Sequence, residues 1–284
     1  MKYGVNMMVW TTHVDEKLEP LFTRIKRWGF DGVEPFISAD EPANIPAVRA
    51  CLDKLELERT TCCVLPRDAN LVSPDAAVRA HGISFLKNCV DRTADLGGHL
   101  ICGPMYAGLG VMSGKRRTPQ EWRWAVKGLR AVAAQARKRN VTVCLEPLNR
   151  FETYFLNTLE DAARLVREID APNVKIHFDT FHSNIEQQHP VESLRSVAKL
   201  LGHVHLSEND RGIPGTGHVD WKGTLQVLKE VGYDGWMTIE SFAQPEPALA
   251  AAAAIWRDLA PSGDDLARQG LQFTKRLARR LGIR

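Results

Sequence analysis

Little in this chain marks it as secreted, membrane-embedded or built for nucleic acid. No apolar run approaches the ~20 residues that cross a bilayer. The opening MKYGVNMMVW lacks the long apolar stretch and the small-residue cleavage site of a secretory signal. Charge of one sign is scarce too: 37 Lys and Arg against 34 Asp and Glu leave +3. That is too little to draw a polyanion or an anionic membrane by itself. Cysteines are few and unpaired, with Cys51, Cys62, Cys63, Cys89, Cys102 and Cys144 forming no CxxC. They are expected to be reduced and buried on strands and helices, which fits a cytoplasmic protein. A glycine-rich phosphate fingerprint after the first strand is also missing, which weighs against an open dinucleotide-binding sheet. What remains is globular material, 44% hydrophobic and 25% charged, enough for a large core.

Short apolar runs rich in β-formers fall at residues 3–10, 32–37, 60–65, 99–102, 141–146, 174–179, 203–207 and 236–240. Between them lie segments with helical spacing. In 17–29, for example, Leu18, Leu21, Phe22, Ile25 and Trp28 share one face before Gly29 ends the pattern. Further helices are predicted over 46–57, 73–96, 118–140, 157–169, 191–201 and 221–231, with 247–259 and 264–281 closing the chain. The strands read as continuously apolar, the pattern of a parallel sheet covered on both faces. Eight strand–helix units in 284 residues predict an α/β fold, a single-domain (β/α)8 TIM barrel over 1–284. A doubly wound open sheet is the alternative.

In such a barrel the active site lies at the C-terminal ends of the strands. The fifth ends VTVCLEP, giving Glu146, and the sixth ends VKIHFDTFH, giving Asp179 and His182. The seventh reads GHVHLSEND, giving His203, His205 and Glu208, and the eighth ends WMTIESF, giving Glu240. Each residue alone has an ordinary structural reading, as a helix cap, an ion-pair partner or a core histidine. Four successive strands ending in a carboxylate or imidazole outweigh it, because such groups are costly there unless paired or metal-bound. Three carboxylates with one imidazole suit Mn²⁺, Mg²⁺ or Co²⁺, and a structural zinc site is disfavoured without thiolates. His203, two residues before His205, is expected to pack inside the barrel beneath it.

Glu146 sits in LEPLNRFE, Asp179 in DTFHSNIE, and His205 in GHVHLSENDR followed by PGTG; IWRD and LQF follow further on. Together these blocks resemble the D-tagatose 3-epimerase / D-allulose (psicose) 3-epimerase / L-ribulose 3-epimerase family over most of the chain. The resemblance implies that Glu146, Asp179, His205 and Glu240 hold one divalent ion per subunit, Mn²⁺ first, with Co²⁺ or Mg²⁺ as alternatives. It also implies that Glu146 and Glu240 are the catalytic acid and base, and that Glu152, His182 and Arg211 bind substrate. The implied substrate is a free ketose, and the implied assembly a homodimer or homotetramer, with no nucleic-acid or membrane partner. The chemistry agrees: inverting C3 takes two groups on opposite faces, and strands five and eight lie about 135° apart around the barrel.

The chain also departs from the family pattern. Ser241 replaces a proline after Glu240, Asn6 stands where an aromatic is usual, and a tryptophan is missing after the turn at 107–114. The last two positions are expected to shape the far end of the pocket, and the PGTG segment at 214–217 to be an active-site loop. The alternatives are an aldose–ketose or hydroxypyruvate-type isomerase, a multi-metal abasic-site endonuclease with His13 and Glu34 as its early ligands, and a non-catalytic sugar-binding barrel.

Overall fold

The computed structural model describes residues 1–40, 44–243 and 247–283. Its strands are β1 (Lys2–Asn6), β2 (Gly32–Glu34), β3 (Glu58–Arg59), β4 (Thr61–Cys62), β5 (Leu100–Gly103), β6 (Thr142–Leu145), β7 (Val174–Asp179), β8 (Leu201–Leu206) and β9 (Trp236–Ile239). All pairings are parallel, in the order β3-β2-β1-β9-β8-β7-β6-β5-β4. β3 pairs with β2 and β4 with β5, and the two are halves of one stave interrupted at Thr60. Phe36 also bridges Cys62, so the sheet closes into the eight-stave barrel the sequence predicts.

Ten helices are described: α1 (Glu19–Trp28), α2 (Ile45–Lys54), α3 (Ala76–Asp95), α4 (Pro119–Lys138), α5 (Leu159–Ile169), α6 (Thr180–Glu186), α7 (Pro190–Val197), α8 (Trp221–Glu230), α9 (Pro247–Ala253) and α10 (Gly263–Arg280). Side-chain caps set many of the starts. Thr118 and Glu121 form a reciprocal capping box on α4, and Thr158 caps α5. Among the described residues no helix is long and apolar enough to cross a membrane.

Three expectations need correction. The run at 3–10 leaves the sheet after Asn6, whose side chain caps a 3-10 turn over Met7–Val9. The helix expected over 247–259 stops at Ala253, because Ala254 takes a left-handed φ of 53° and Ile255 turns back to donate to the Ala250 carbonyl. The strands, moreover, are not uniformly apolar. Ile176, Phe178, Val204 and Leu206 join the large apolar layer under the helices. The alternate positions carry His177, Asp179, His203 and His205, all buried. The interior of this barrel is polar at positions that period-two geometry turns inward.

Candidate active site

Backbone bonds bring the strand ends to one height. Glu146 N donates to the Gly103 carbonyl, Glu240 N donates to Leu206, and Asp179 lies in register beside His205. Glu146, Asp179, His205 and Glu240 are all buried, and one ligand atom from each lies within 4.8 Å of the others. Glu146 Oε1, Asp179 Oδ2 and His205 Nδ1 have no hydrogen-bond partner. Buried polar atoms are rarely left that way, and a divalent cation among them supplies what they lack. The residues therefore fit the implied metal.

The unused atoms of these groups are held from behind. Asp179 Oδ1 accepts from Phe181 N at 2.5 Å and His182 N at 3.3 Å, which caps α6. His205 Nε2 faces Glu34 Oε1 at 2.6 Å. Glu34 is fully buried and also accepts from Asn6 Nδ2 (3.0 Å) and Thr60 Oγ1 (2.6 Å). His203 lies beneath His205 with Nε2 2.8 Å from Glu34 Oε2. A carboxylate behind a ligating imidazole holds the proton on Nε2 and leaves the Nδ1 lone pair for the metal.

The two glutamates are pushed apart electrically. Burial, reinforced by Glu240 and Asp179, raises Glu146 well above the usual carboxylate range. Burial opposes ionisation of Glu240 too, but His205 and Arg211 overcome it and hold this carboxyl below its ordinary value. Glu146 therefore favours its protonated form and Glu240 its ionised form.

Arg211 forms an ion pair with Glu240 Oε2 and reaches Asp179 Oδ2 at 3.6 Å. Its guanidinium lies 4.1 Å from the Phe181 ring and 5.0 Å from the Phe242 ring. His182 Nδ1 accepts from Asn149 N at 3.0 Å, and its Nε2 lies 3.1 Å from Arg211 Nη2 and 3.7 Å from Glu146 Oε1. Burial and then Arg211 push this imidazole well below its ordinary value, which keeps it neutral. Glu152 Oε1 accepts from Asn149 Nδ2 at 2.7 Å, and burial raises its carboxyl. A cavity of about 250 Å³ joins these groups. Glu146, Glu152, His182, Arg211 and Glu240 line one side, and apolar residues including Met8, Phe36, Leu109 and Phe242 line the other.

Other expected residues go elsewhere. Glu208 accepts from Asn209 N, Val219 N, Gly215 N and Trp221 Nε1, which turns it away from the cavity. The PGTG segment is therefore no active-site loop. Gly215 packs against Glu208 and Phe273, and no residue of 214–217 lines the cavity. Asn6 supports Glu34 instead of shaping the pocket, and Met8 takes the lining place. His13 is exposed, and Glu34 faces inward behind His205, so neither adds a rim ligand. Sequence reasoning missed Asn149, which orients both His182 and Glu152, and His177. The only signal for Asn149 was its place in the NRFE block; for His177 it was the two-residue step to Asp179.

Residues 22–277 match the family described as xylose isomerase-like TIM barrel. A probable ketose 3-epimerase of Synechocystis sp. is 30% identical, covering 97% of this chain and 96% of that protein. An L-ribulose 3-epimerase of Mesorhizobium japonicum is 31% identical, covering 96% and 92%. The crystal structure of a D-allulose 3-epimerase from Methylomonas sp. in complex with D-allulose superposes with a TM-score of 0.92 at 29% identity, covering 97% and 96%. By this match and these relatives, the chain belongs to the xylose isomerase-like TIM-barrel family and is an isomerase of its epimerase kind.

Proposed function

We propose that this protein is a divalent-metal-dependent ketose 3-epimerase acting on free ketoses. The substrate pairs in view are D-tagatose/D-sorbose, D-fructose/D-allulose and L-ribulose/L-xylulose. One observation carries the reading: Glu146 and Glu240 meet in one cavity from staves three apart, with opposite protonation tendencies. The names of the relatives and the D-allulose bound in one of them support the substrate class.

When bound, the cation, Mn²⁺ first and Co²⁺ or Mg²⁺ as alternatives, acidifies the carbon beside the ketone and offsets charge developing on oxygen. Glu240, kept ionised by His205 and Arg211, removes the C3 proton from one face. The C–H electrons form the C2–C3 double bond, and the carbonyl electrons move to O2. His182 and Arg211 donate toward that oxygen. Glu146, protonated in its buried position, returns a proton to C3 from the opposite face, and the reverse reaction exchanges the roles. Glu152, oriented by Asn149, accepts from a substrate hydroxyl near the reacting carbons. The protein works in the cytoplasm as a homodimer or homotetramer, without nucleic acid or membrane. Phe151 (75% exposed) and Trp256 (78% exposed), which border hollows beside the cavity, support the assembly.

Turnover of a ketohexose in D₂O tests the reading. Deuterium at C3 of both epimers, lost after chelation and regained with Mn²⁺, is expected. Label at C1 alone would make the enzyme an aldose–ketose isomerase instead.

A further inference from the structure

Beneath the rim, the barrel holds a second cluster of metal-ligating side chains. Cys102, His177, His203 and His205 are buried, and one ligand atom from each lies within 4.8 Å of the others. Cys102 Sγ is 3.8 Å from His205 Nε2. The His177 ring centroid is 4.0 Å from that of His205 and 5.0 Å from that of His203. The depth follows from strand geometry. His177 and His203 precede Asp179 and His205 by two residues on adjacent staves, which places them one inward-facing layer down, roughly 6–7 Å.

Apolar packing does not account for this layer. His177 is fully buried, yet neither of its ring nitrogens has a hydrogen-bond partner, and His203 Nδ1 also lacks one. A leucine or methionine would fill similar space without stranding two polar atoms. The donor set also differs in kind from the rim. Above, three carboxylates and an imidazole favour hard or borderline ions. Below, a thiol and imidazoles favour zinc or its spectroscopic stand-in, cobalt. Glu34, 3.5 Å from Cys102 Sγ and held by Asn6 and Thr60, adds negative charge beside the cluster.

We propose that Cys102, His177 and His203 form a second metal site, for a zinc-class divalent cation, inside the barrel. Glu34 keeps the Nε2 proton of His205, so His205 serves the rim alone. The interior ion gives His177 and His203 Nδ1 a partner they otherwise lack. The site is separate from the rim ring in donor chemistry and in depth, and its presence does not depend on which sugar is turned over.

The full-length protein, stripped by chelation under reducing conditions and titrated with Co²⁺ alone, tests this. The expected result is two equivalents per chain and a near-ultraviolet sulfur-to-cobalt charge-transfer band, which added Zn²⁺ bleaches. Cys102→Ser should lose the band and one equivalent while the other equivalent still binds. His177→Leu should lose one equivalent with every thiol intact, which keeps the test sharp if the serine variant folds poorly. One equivalent per chain without the band overturns the proposal. So does a band that survives Cys102→Ser, or an unchanged count in His177→Leu. The readouts are stoichiometry and absorption, so a failed epimerase assay does not bear on them.

Discussion

Glu146 and Glu240 share a cavity but face different electrostatics, and the roles proposed for them follow from that difference. Either change to glutamine, Glu146→Gln or Glu240→Gln, removes a proton-transfer group and is expected to lower kcat by about 10²–10⁴-fold. Bound metal measured in the same samples separates lost chemistry from lost ion. Retained turnover in both variants would rule out the two-base mechanism. Ser241 has a role the sequence could flag only as a departure. Its hydroxyl donates to the carbonyl of Arg211, a non-glycine residue held at φ 64°. Ser241→Ala removes one buried hydrogen bond, worth about 0.5–1.5 kcal/mol, and loosens a left-handed residue whose guanidinium lines the cavity. A several-fold rise in KM with kcat nearly unchanged is expected from steady-state kinetics. The residue was visible in the sequence. Its partner, 30 positions away, was not.

At the scale of elements, strand ends and helix starts are the same places. Asp179 ends β7 and caps α6 with one oxygen, leaving the other for the rim. That short helix carries His182 and escaped the sequence reading, because seven residues are too few to show helical periodicity. Longer helices were legible from their caps. On α4 the Thr118–Glu121 capping box satisfies amide groups at the helix start, far from the chemistry. Thr118→Ala is expected to cost about 1 kcal/mol and to lower Tm, with kcat unchanged in the same preparation. The misplaced end of the 247–259 segment shows the limit of propensity. Alanines favour helix throughout, but the chain turns at Ala254 to bury Ile255.

For the whole molecule, the proposed ion would compete with protons for one buried cluster. Without the ion, burial with Glu240 and Asp179 raises Glu146, and burial raises Asp179 to about 6. Burial disfavours the His205 cation, but Glu34 and Glu240 overcome it and hold the proton to well above the usual range. Asp179 and His205 must be deprotonated to ligate, so loading releases protons and affinity rises with pH. A folded-state pKa raised above its unfolded value stabilises below the unfolded pKa, and that contribution fades as pH rises through the folded one. The metal-free protein therefore loses the Asp179 contribution between about pH 4 and 6, with Glu146 and His205 following at higher pH. The Tm gain on adding Mn²⁺ grows over the same interval. Calorimetry in buffers of different ionisation heat should show buffer-dependent binding heats; identical heats would contradict the linkage.

The sequence by itself determined the barrel, the order of its staves and the four strand-end groups at the rim. Those features are local: hydrophobic runs of strand length, glycine and cap residues at helix ends, and one ionisable residue at each of four successive strand ends. Only the tertiary structure decided what stands behind and below them. Glu34 reaches His205 across 171 positions and Cys102 reaches it across 103. The reason is physical: closing the barrel brings inward-facing positions of distant staves together, and no spacing along one strand records which residue of another it will meet.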